Sequence, residues 1–360
     1  MRVLIVRLSA LGDVVTASPV SRLIKKAYPD AHITWAIENR CAACVQGDPS
    51  IDEVLIVPSS KQWRTWFRTD RGTFRREARE LWRRLRGERY DIVLDIHGLF
   101  KTAWLVKAVR APRKIRPADA SERVPFVYNE AAPRRELPDY ITSIYVSLAE
   151  HLGIEAQAPD DYAMTLPMSD DDRAVAAGWL AEHGLEPGRY VVCAPGTTRP
   201  QKMWVLERWA PTLEAIHQAT GLPAVIAGGP TEVAMAETIM AGCSTPVTSA
   251  VCATTIPQTG ALLASAALML TVDTGPMHMA VAVGCPTVAV YGSTPPRLFG
   301  PEAAYRPLYA ALDCAPCHKR PTCAGRYDCM TAVTVDQVSA AALELLAPGG
   351  VGTNVPREQP

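Results

Sequence analysis

Two parallel-sheet domains of the α/β class are what this chain predicts, and three observations predict them. Short apolar runs alternate with helical patterns, the rhythm of parallel strands covered on both faces. The chain has 360 residues, beyond the roughly 250 to 300 at which a single hydrophobic core stops growing. Strand-to-helix turns that contain glycine occur in both halves, and open α/β sheets bind ligands beyond the carboxyl ends of their strands.

Strand candidates in the first half are residues 3–6, 32–37, 53–57 and 91–96. A helix is predicted over residues 13–27, ending before Pro29 because a proline disfavours helical backbone at the preceding residue. Residues 155–172, EAQAPDDYAMTLPMSDDD, are rich in Pro and Asp and form the predicted linker. This sets the expected domains at residues 1–165 and 166–347. In the second half the strand candidates are residues 190–194, 224–227, 268–272 and 287–291, with a helix over 206–220 closed by Gly221. The tail 348–360, PGGVGTNVPREQP, is expected to be disordered.

Hydrophobic residues at 48% and charged residues at 21% suit a globular chain and exclude the disordered class. A formal net charge of zero gives no overall electrostatic reason for a polyanion partner. No apolar run approaches the roughly 20 residues needed to cross a bilayer, and the chain opens directly on a core strand with no signal-like cleavage region. The expectation is a cytoplasmic protein. Of ten cysteines, Cys41, Cys44, Cys193, Cys243, Cys252 and Cys285 are scattered through ordinary α/β sequence and read as buried free thiols.

Residues 271–292, TVDTGPMHMAVAVGCPTVAVYG, carry the strongest functional signal, with strand, Gly turn, short helix and strand in direct succession. Such a turn aims backbone N–H groups and a helix N-terminus at an anion. Asp273, Thr274, Gly275 and His278 add side chains and a close backbone approach suited to sugar hydroxyls or phosphate. A second turn, at residues 194–198 (APGTT), brings Gly196, Thr197 and Thr198 together, and Lys202 follows. Hydroxyls, N–H groups and one ammonium there suit a departing pyrophosphate, although the GxxxxGK[ST] phosphate-loop spacing is absent. In the first half, RVLIVRLSALGDVVT at residues 2–16 delivers Asp13 to the start of a helix. That carboxylate suits proton abstraction from an attacking hydroxyl, and it equally suits a helix cap. A third turn, at residues 95–101 (DIHGLFK), offers Lys101 either to an anionic acceptor or to solvent. Two such halves are Rossmann-like.

Upstream of Lys101, residues 61–89 hold eleven Lys and Arg (Lys61, Arg64, Arg68, Arg71, Arg75, Arg76, Arg79, Arg83, Arg84, Arg86 and Arg89) against four acids (Asp70, Glu77, Glu80 and Glu88). Trp63, Trp66, Phe67, Phe74 and Trp82 are interleaved with them. The segment fits anionic lipid headgroups or a phosphorylated acceptor; base stacking on nucleic acid and a solvated charged helix are the competing readings.

Through RLSALGD, DIHGLFKTA, PGTTRPQKMW, VDTGPMHMAVAVGCPTVAVYGSTPP and CAPCHKRPTCAGRYDCM, the chain resembles glycosyltransferase family 9, the ADP-heptose:lipopolysaccharide heptosyltransferases, nearest the heptosyltransferase II-like branch. The resemblance implies a GT-B architecture, with two Rossmann-like domains whose parallel sheets face across a cleft, acceptor on the N-terminal one and donor on the C-terminal one. It implies Asp13 as catalytic base, and Gly196, Thr197, Thr198, Lys202, Asp273, Thr274, Gly275 and His278 around the donor, with Glu232 of GGPTE at the nucleoside. Lys101 and Arg123 are the implied acceptor contacts. The implied reaction is an inverting transfer of heptose from ADP-heptose to the Kdo/heptose inner core of lipopolysaccharide, with the ADP-sugar as substrate and no cofactor required. The implied setting is the inner face of the inner membrane, where the protein is peripheral and engages the surface through residues 61–89, with no nucleic-acid partner. A nucleotide-sugar epimerase or hydrolase would use the same donor pocket, and a non-catalytic nucleotide or polyanion binder would use the basic segment alone. Cys314, Cys317, Cys323 and Cys329 have enough thiolates for tetrahedral zinc, but their spacing is not a pair of CxxC knuckles and a similar pattern in the family is not tied to metal-dependent activity. The expectation is reduced or disulfide-linked thiols and no required metal, with the four cysteines kept as the candidate metal cluster.

Overall fold

A computed structural model describes residues 1–120, 122, 124, 126–300, 303–318 and 320–347. The predicted disordered tail, 348–360, lies outside the described residues. The chain divides into two compact units, Met1–Pro167 and the unit that begins at Met168.

The first unit runs β1 (Arg2–Val6), α1 (Leu11–Thr16), α2 (Pro19–Ala27), β2 (His32–Glu38), β3 (Glu53–Val57), α3 (Ser60–Thr69), α4 (Arg71–Gly87), β4 (Ile92–Asp95), α5 (Phe100–Ala108), β5 (Arg113–Pro117), β6 (Glu130–Ala132) and α6 (Ser143–Glu150). Its six strands are all parallel, in the order β3-β2-β1-β4-β5-β6. The central strand β1 is RVLIV, apolar on both faces because helices cover both. Leu4, Val6, Val93 and Leu105 are fully buried in the same core.

The second unit runs α7 (Asp170–Glu182), β7 (Val191–Ala194), α8 (Trp209–Thr220), β8 (Ala224–Ile226), α9 (Val233–Ala241), β9 (Val247–Ser249), α10 (Ile256–Ala264), β10 (Leu268–Val272), α11 (Gly275–Ala282), β11 (Thr287–Tyr291), β12 (Tyr305–Tyr309), α12 (Asp328–Thr331) and α13 (Val335–Leu346). The sheet order, β12-β11-β10-β7-β8-β9, repeats the first unit's topology. In each sheet the strand order reverses beside the first strand, at β1/β4 and at β7/β10. Such a reversal opens a crevice at the carboxyl ends of the strands.

Three expectations need correction. The single helix predicted over residues 13–27 is two helices, because Pro19 has no N–H to give and instead occupies the first turn of α2. The predicted linker is not featureless: Pro159–Tyr162 forms a 3-10 turn, and Ser169 caps α7 by accepting from Asp172 N–H at 3.1 Å. Strands β5, β6, β9 and β12 have no counterpart in the sequence reading. They lie on the outer parts of the two sheets, and β5 (RKIRP) buries only Ile115 and Pro117. Its Arg113, Lys114 and Arg116 interrupt any apolar run, whereas the equally outer β3 (EVLIV) shows one.

Candidate active site

At the N-terminal unit's switch point, β1 ends at Val6 and hands the chain to a loop that reaches Asp13 in α1. Asp13 stands at the third position of that helix and Ala10 at its N-cap, so capping is not its main work; its Oδ2 takes only a long contact, 3.4 Å, from Ala10 N–H. Arg7 holds the carboxylate instead, with Nη2 2.6 Å from Asp13 Oδ2, and Tyr145 OH donates to Oδ1 at 3.3 Å. The Arg7 guanidinium lies over the Tyr145 ring, 5.3 Å from its centroid. Arg7 is buried, whereas half of the Asp13 side chain, 51%, meets solvent. Burial works against the Arg7 charge, yet Tyr145, Asp13 and Asp95 raise its pKa above the ordinary value. The result is a carboxylate fixed from behind and open in front.

Lys101 is not the solvated lysine that the sequence left open. Its ammonium donates to Ser9 Oγ at 2.8 Å and lies 3.8 Å from Glu38, whose other oxygen accepts from Arg40 Nε at 2.8 Å. Burial lowers the Lys101 pKa, against the pull of Glu38. His97 Nδ1 accepts from Leu8 N–H at 3.4 Å, which places the imidazole proton on Nε2. Burial first, then Arg7 and Lys101, push His97 down to about 2, so it is neutral at any working pH. Arg123 lies outside the described residues.

The turn bearing His97 and Lys101 is built on Asp95, which is completely buried. Its Oδ1 accepts from His97 N–H and Gly98 N–H, both at 3.0 Å, and its Oδ2 from Thr102 and Tyr128 hydroxyls, both at 2.6 Å. Gly98 is required here: its φ is +65°, and a Cβ would come within 3.1 Å of Ala120 and Pro117. Asp95→Asn keeps an acceptor for the backbone but turns an amide donor toward two hydroxyl donors. Loss of about 1–3 kcal/mol of stability is expected, read by denaturant unfolding.

In the C-terminal unit the expected residues gather along neighbouring strand ends. Ala194 of β7 pairs with Thr271 of β10, and Thr271 Oγ1 donates to Ala194 O at 2.9 Å. The loop with Gly196, Thr197 and Thr198 therefore lies beside Asp273, with Thr197 half-buried and Thr198 exposed. Lys202 Nζ forms a hydrogen-bonded ion pair with Asp273 Oδ2, and Thr294, from the loop after β11, donates to the same oxygen. Lys202 and Asp273 are 17% and 15% exposed. Thr274 is the N-cap residue of α11, and Gly275 and Pro276 open its first turn. His278 is half-buried, with its ring edge-on to Phe299 at 5.5 Å. Glu232 bridges the loops after β7 and β8: it accepts from Gly229 N–H at 2.8 Å and lies so close to Gly196 that a Cβ there would meet its Cγ at 2.4 Å.

Five residues of these edges went unassigned in the sequence. Arg7 and Ser9 lie in the recognised RLSALGD stretch, and Thr294 in GSTPP, but nothing local marks their partners. Glu38 ends an ordinary strand, and Tyr145 is 132 residues from the carboxylate it touches.

Residues 78–328 match the model of glycosyltransferase family 9 (heptosyltransferase). Lipopolysaccharide heptosyltransferase 1 of Pseudomonas aeruginosa is 29% identical over 332 residues, covering 90% of this chain and 87% of the relative. A glycosyl transferase of family 9 from Veillonella parvula shares the fold with a TM-score of 0.80 at 24% identity, over 96% of this chain and 97% of that one. The E. coli heptosyltransferase WaaC with ADP-2-deoxy-2-fluoro heptose does so with a TM-score of 0.71 at 23% identity, over 96% and 99%. The α/β fold is thus that of GT-B enzymes with two Rossmann-like domains, and the chain belongs to glycosyltransferase family 9.

Proposed function

We propose that this glycosyltransferase moves heptose, with inversion, from ADP-heptose to the inner core of lipopolysaccharide. The observation that carries the reading is the Asp13 carboxylate, gripped by Arg7 and Tyr145 yet half open to solvent at the switch point of its sheet. The curated relative's name, lipopolysaccharide heptosyltransferase 1, and a neighbouring structure's ADP-2-deoxy-2-fluoro heptose support the acceptor and donor.

In the proposed reaction an acceptor hydroxyl oxygen bonds to the anomeric carbon as the bond from that carbon to the diphosphate oxygen breaks. The hydroxyl proton passes to Asp13, and ADP leaves with the electron pair. Lys101, with Arg123, steadies the anionic acceptor. Gly196, Thr197, Thr198, Lys202 and the N-terminus of α11, at Thr274 and Gly275, carry the diphosphate charge, so the ADP-sugar enters as substrate and the reaction needs no added cofactor. Asp273 and His278 hold the sugar, and Glu232 the nucleoside.

Mass spectrometry of a heptose-deficient core lipid incubated with ADP-heptose tests this. One added heptose per lipid is expected, with ADP released only when the acceptor is present. Equal ADP release without acceptor would make the protein a hydrolase.

The setting we propose is the cytoplasmic face of the inner membrane. Among the described residues no helix is long and apolar enough to cross a membrane. All eleven Lys and Arg of residues 61–89 are exposed. Their aromatic neighbours are less free than the sequence implies: Trp63 packs edge-on against Trp66, Phe74 and Trp104, and Phe67 against Phe74. Phe67 and Trp82 remain exposed, at 53% and 41%. Each basic residue near an anionic surface is worth about 1 kcal/mol, so removing Arg68, Arg75 and Arg79 together should weaken binding to phosphatidylglycerol vesicles roughly a hundredfold. Unchanged cosedimentation would overturn the surface assignment.

A further inference from the structure

Cys314, Cys317, Cys323 and Cys329 are free of disulfides, and among the described residues no three His, Cys, Asp or Glu side chains are grouped to hold a metal ion. A built site stands instead in the N-terminal unit, at the carboxyl ends of β1 and β2. Glu38, the last residue of β2, is buried, and its N–H donates to Leu8 O at 3.0 Å, which fixes its backbone beside the loop leaving β1. Its carboxylate meets two cations, one at each oxygen: Arg40 Nε donates to Oε2 at 2.8 Å, and Lys101 Nζ stands 3.8 Å from Oε1. Lys101 is itself positioned by its hydrogen bond to Ser9 Oγ.

A buried carboxylate needs a cation, and one would do. Here two share it, so the trio carries one positive charge in excess, whereas Arg7 and Asp13 balance each other. The cations also reach outward. Only 3% of the Glu38 side chain meets solvent, against 66% of Arg40 and 30% of Lys101. Arg40 belongs to a 3-10 turn, Asn39–Cys44, in which Cys41, Ala42 and Cys44 are buried, and that turn lies against α1, the helix of Asp13. Its backbone is anchored while its head group stays uncovered. Among the described residues Arg40 makes no hydrogen bond besides the one to Glu38, which leaves its two terminal nitrogens as a planar fork for an oxyanion.

We propose that Arg40 and Lys101, spread on Glu38, form a subsite for a carboxylate on the acceptor sugar, with Arg40 as the specificity-determining contact and Glu38 as the positioning residue. The inference rests on the reading of this edge as the acceptor's. One excess charge matches one carboxylate, which the Arg40 fork takes through two N–H donors with the Lys101 ammonium beside it. A phosphate, which carries close to two charges, would leave one unmatched.

The test compares the heptose-deficient core lipid with its carboxyl methyl esters and with its dephosphorylated form, by calorimetry on the full chain and then by turnover. Wild type should bind the acid about tenfold more tightly than the ester, the worth of one charge-assisted contact. Arg40→Ala should lose about tenfold for the acid and almost nothing for the ester, and its acceptor KM should rise by more than kcat falls. Arg40→Lys, which keeps the charge without the fork, should fall between the two. Glu38→Gln should lose part of the same acid-over-ester preference, a ratio that a merely structural defect would leave alone. Equal losses for acid and ester in Arg40→Ala overturn the proposal, as does a wild type that binds acid and ester alike. So does coupling of Arg40 to the acceptor's phosphates in place of its carboxylate. Calorimetry needs no turnover, so acid-selective binding without sugar transfer would overturn the proposed activity and leave the subsite standing.

Discussion

Asparagine at position 13 should lower kcat by about 10²- to 10⁴-fold, the range over which a positioned general base acts. Asp13→Asn is the informative variant because it keeps an acceptor oxygen for Arg7, which is buried and would otherwise lose its counterpart, while the amide NH2 can donate to the Tyr145 hydroxyl oxygen. The amide cannot accept the acceptor's proton. ADP affinity, measured by calorimetry, should stay within about twofold, because the proposed nucleotide contacts all belong to the C-terminal unit. Tyr145→Phe should cost much less, only a few-fold, since it removes one 3.3 Å contact and leaves the Arg7 pair. With its pKa pushed down to about 2, His97 is too weak a base to take the acceptor's proton, so His97→Gln should not reproduce the Asp13 defect. Asp13→Asn retaining more than about a tenth of wild-type kcat, with unfolding unchanged, would remove Asp13 from the mechanism.

The legible parts of this chain were those in which the physics is local. Strands β1, β4, β7, β10 and β11 are apolar on both faces and announce themselves as short apolar runs. The turns after them announce themselves through glycine, because chain reversal needs residues without a Cβ, as at Gly98. Strands β5 (RKIRP) and β9 (VTS) were silent because charged residues in one and brevity in the other leave no apolar run, unlike the equally outer β3 (EVLIV). The helix break at Pro19 was legible in principle, and was missed because the apolar spacing continues across it. Site partners were harder for a different reason. Arg7 and Asp13 are six residues apart and could have been paired, whereas Tyr145 of α6 meets Asp13 of α1, and Thr294 meets Asp273, only because the fold brings distant elements together. Asp95 was named only as the first residue of a turn. Its actual work, holding two backbone N–H groups and two hydroxyls in complete burial, depends on Tyr128, 33 residues on.

Lys202→Ala should reduce kcat/KM by about 10²- to 10³-fold, the cost of removing one charged group that stabilises a departing anion. The variant also strips Asp273 of its cation while Thr294 still donates to it. A mostly buried carboxylate left that way costs of order 2–3 kcal/mol, so lower stability alone could imitate a functional loss. The double variant Lys202→Ala/Asp273→Ala separates the two effects. Removing both members of the pair relieves the stranded charge, so the unfolding midpoint should recover most of the way toward wild type. Activity should not recover, because the proposed diphosphate ammonium and the proposed sugar carboxylate are both still missing. In the free protein Lys202 is occupied by Asp273, and a bound diphosphate would have to compete for the ammonium or share it. Weakening of ADP binding should therefore be smaller in Lys202→Ala than the fall in kcat/KM, because the ammonium does most when charge develops on the leaving oxygen. Equal losses in both would make Lys202 a uniform binding group, and recovery of turnover in the double variant would make the pair purely structural.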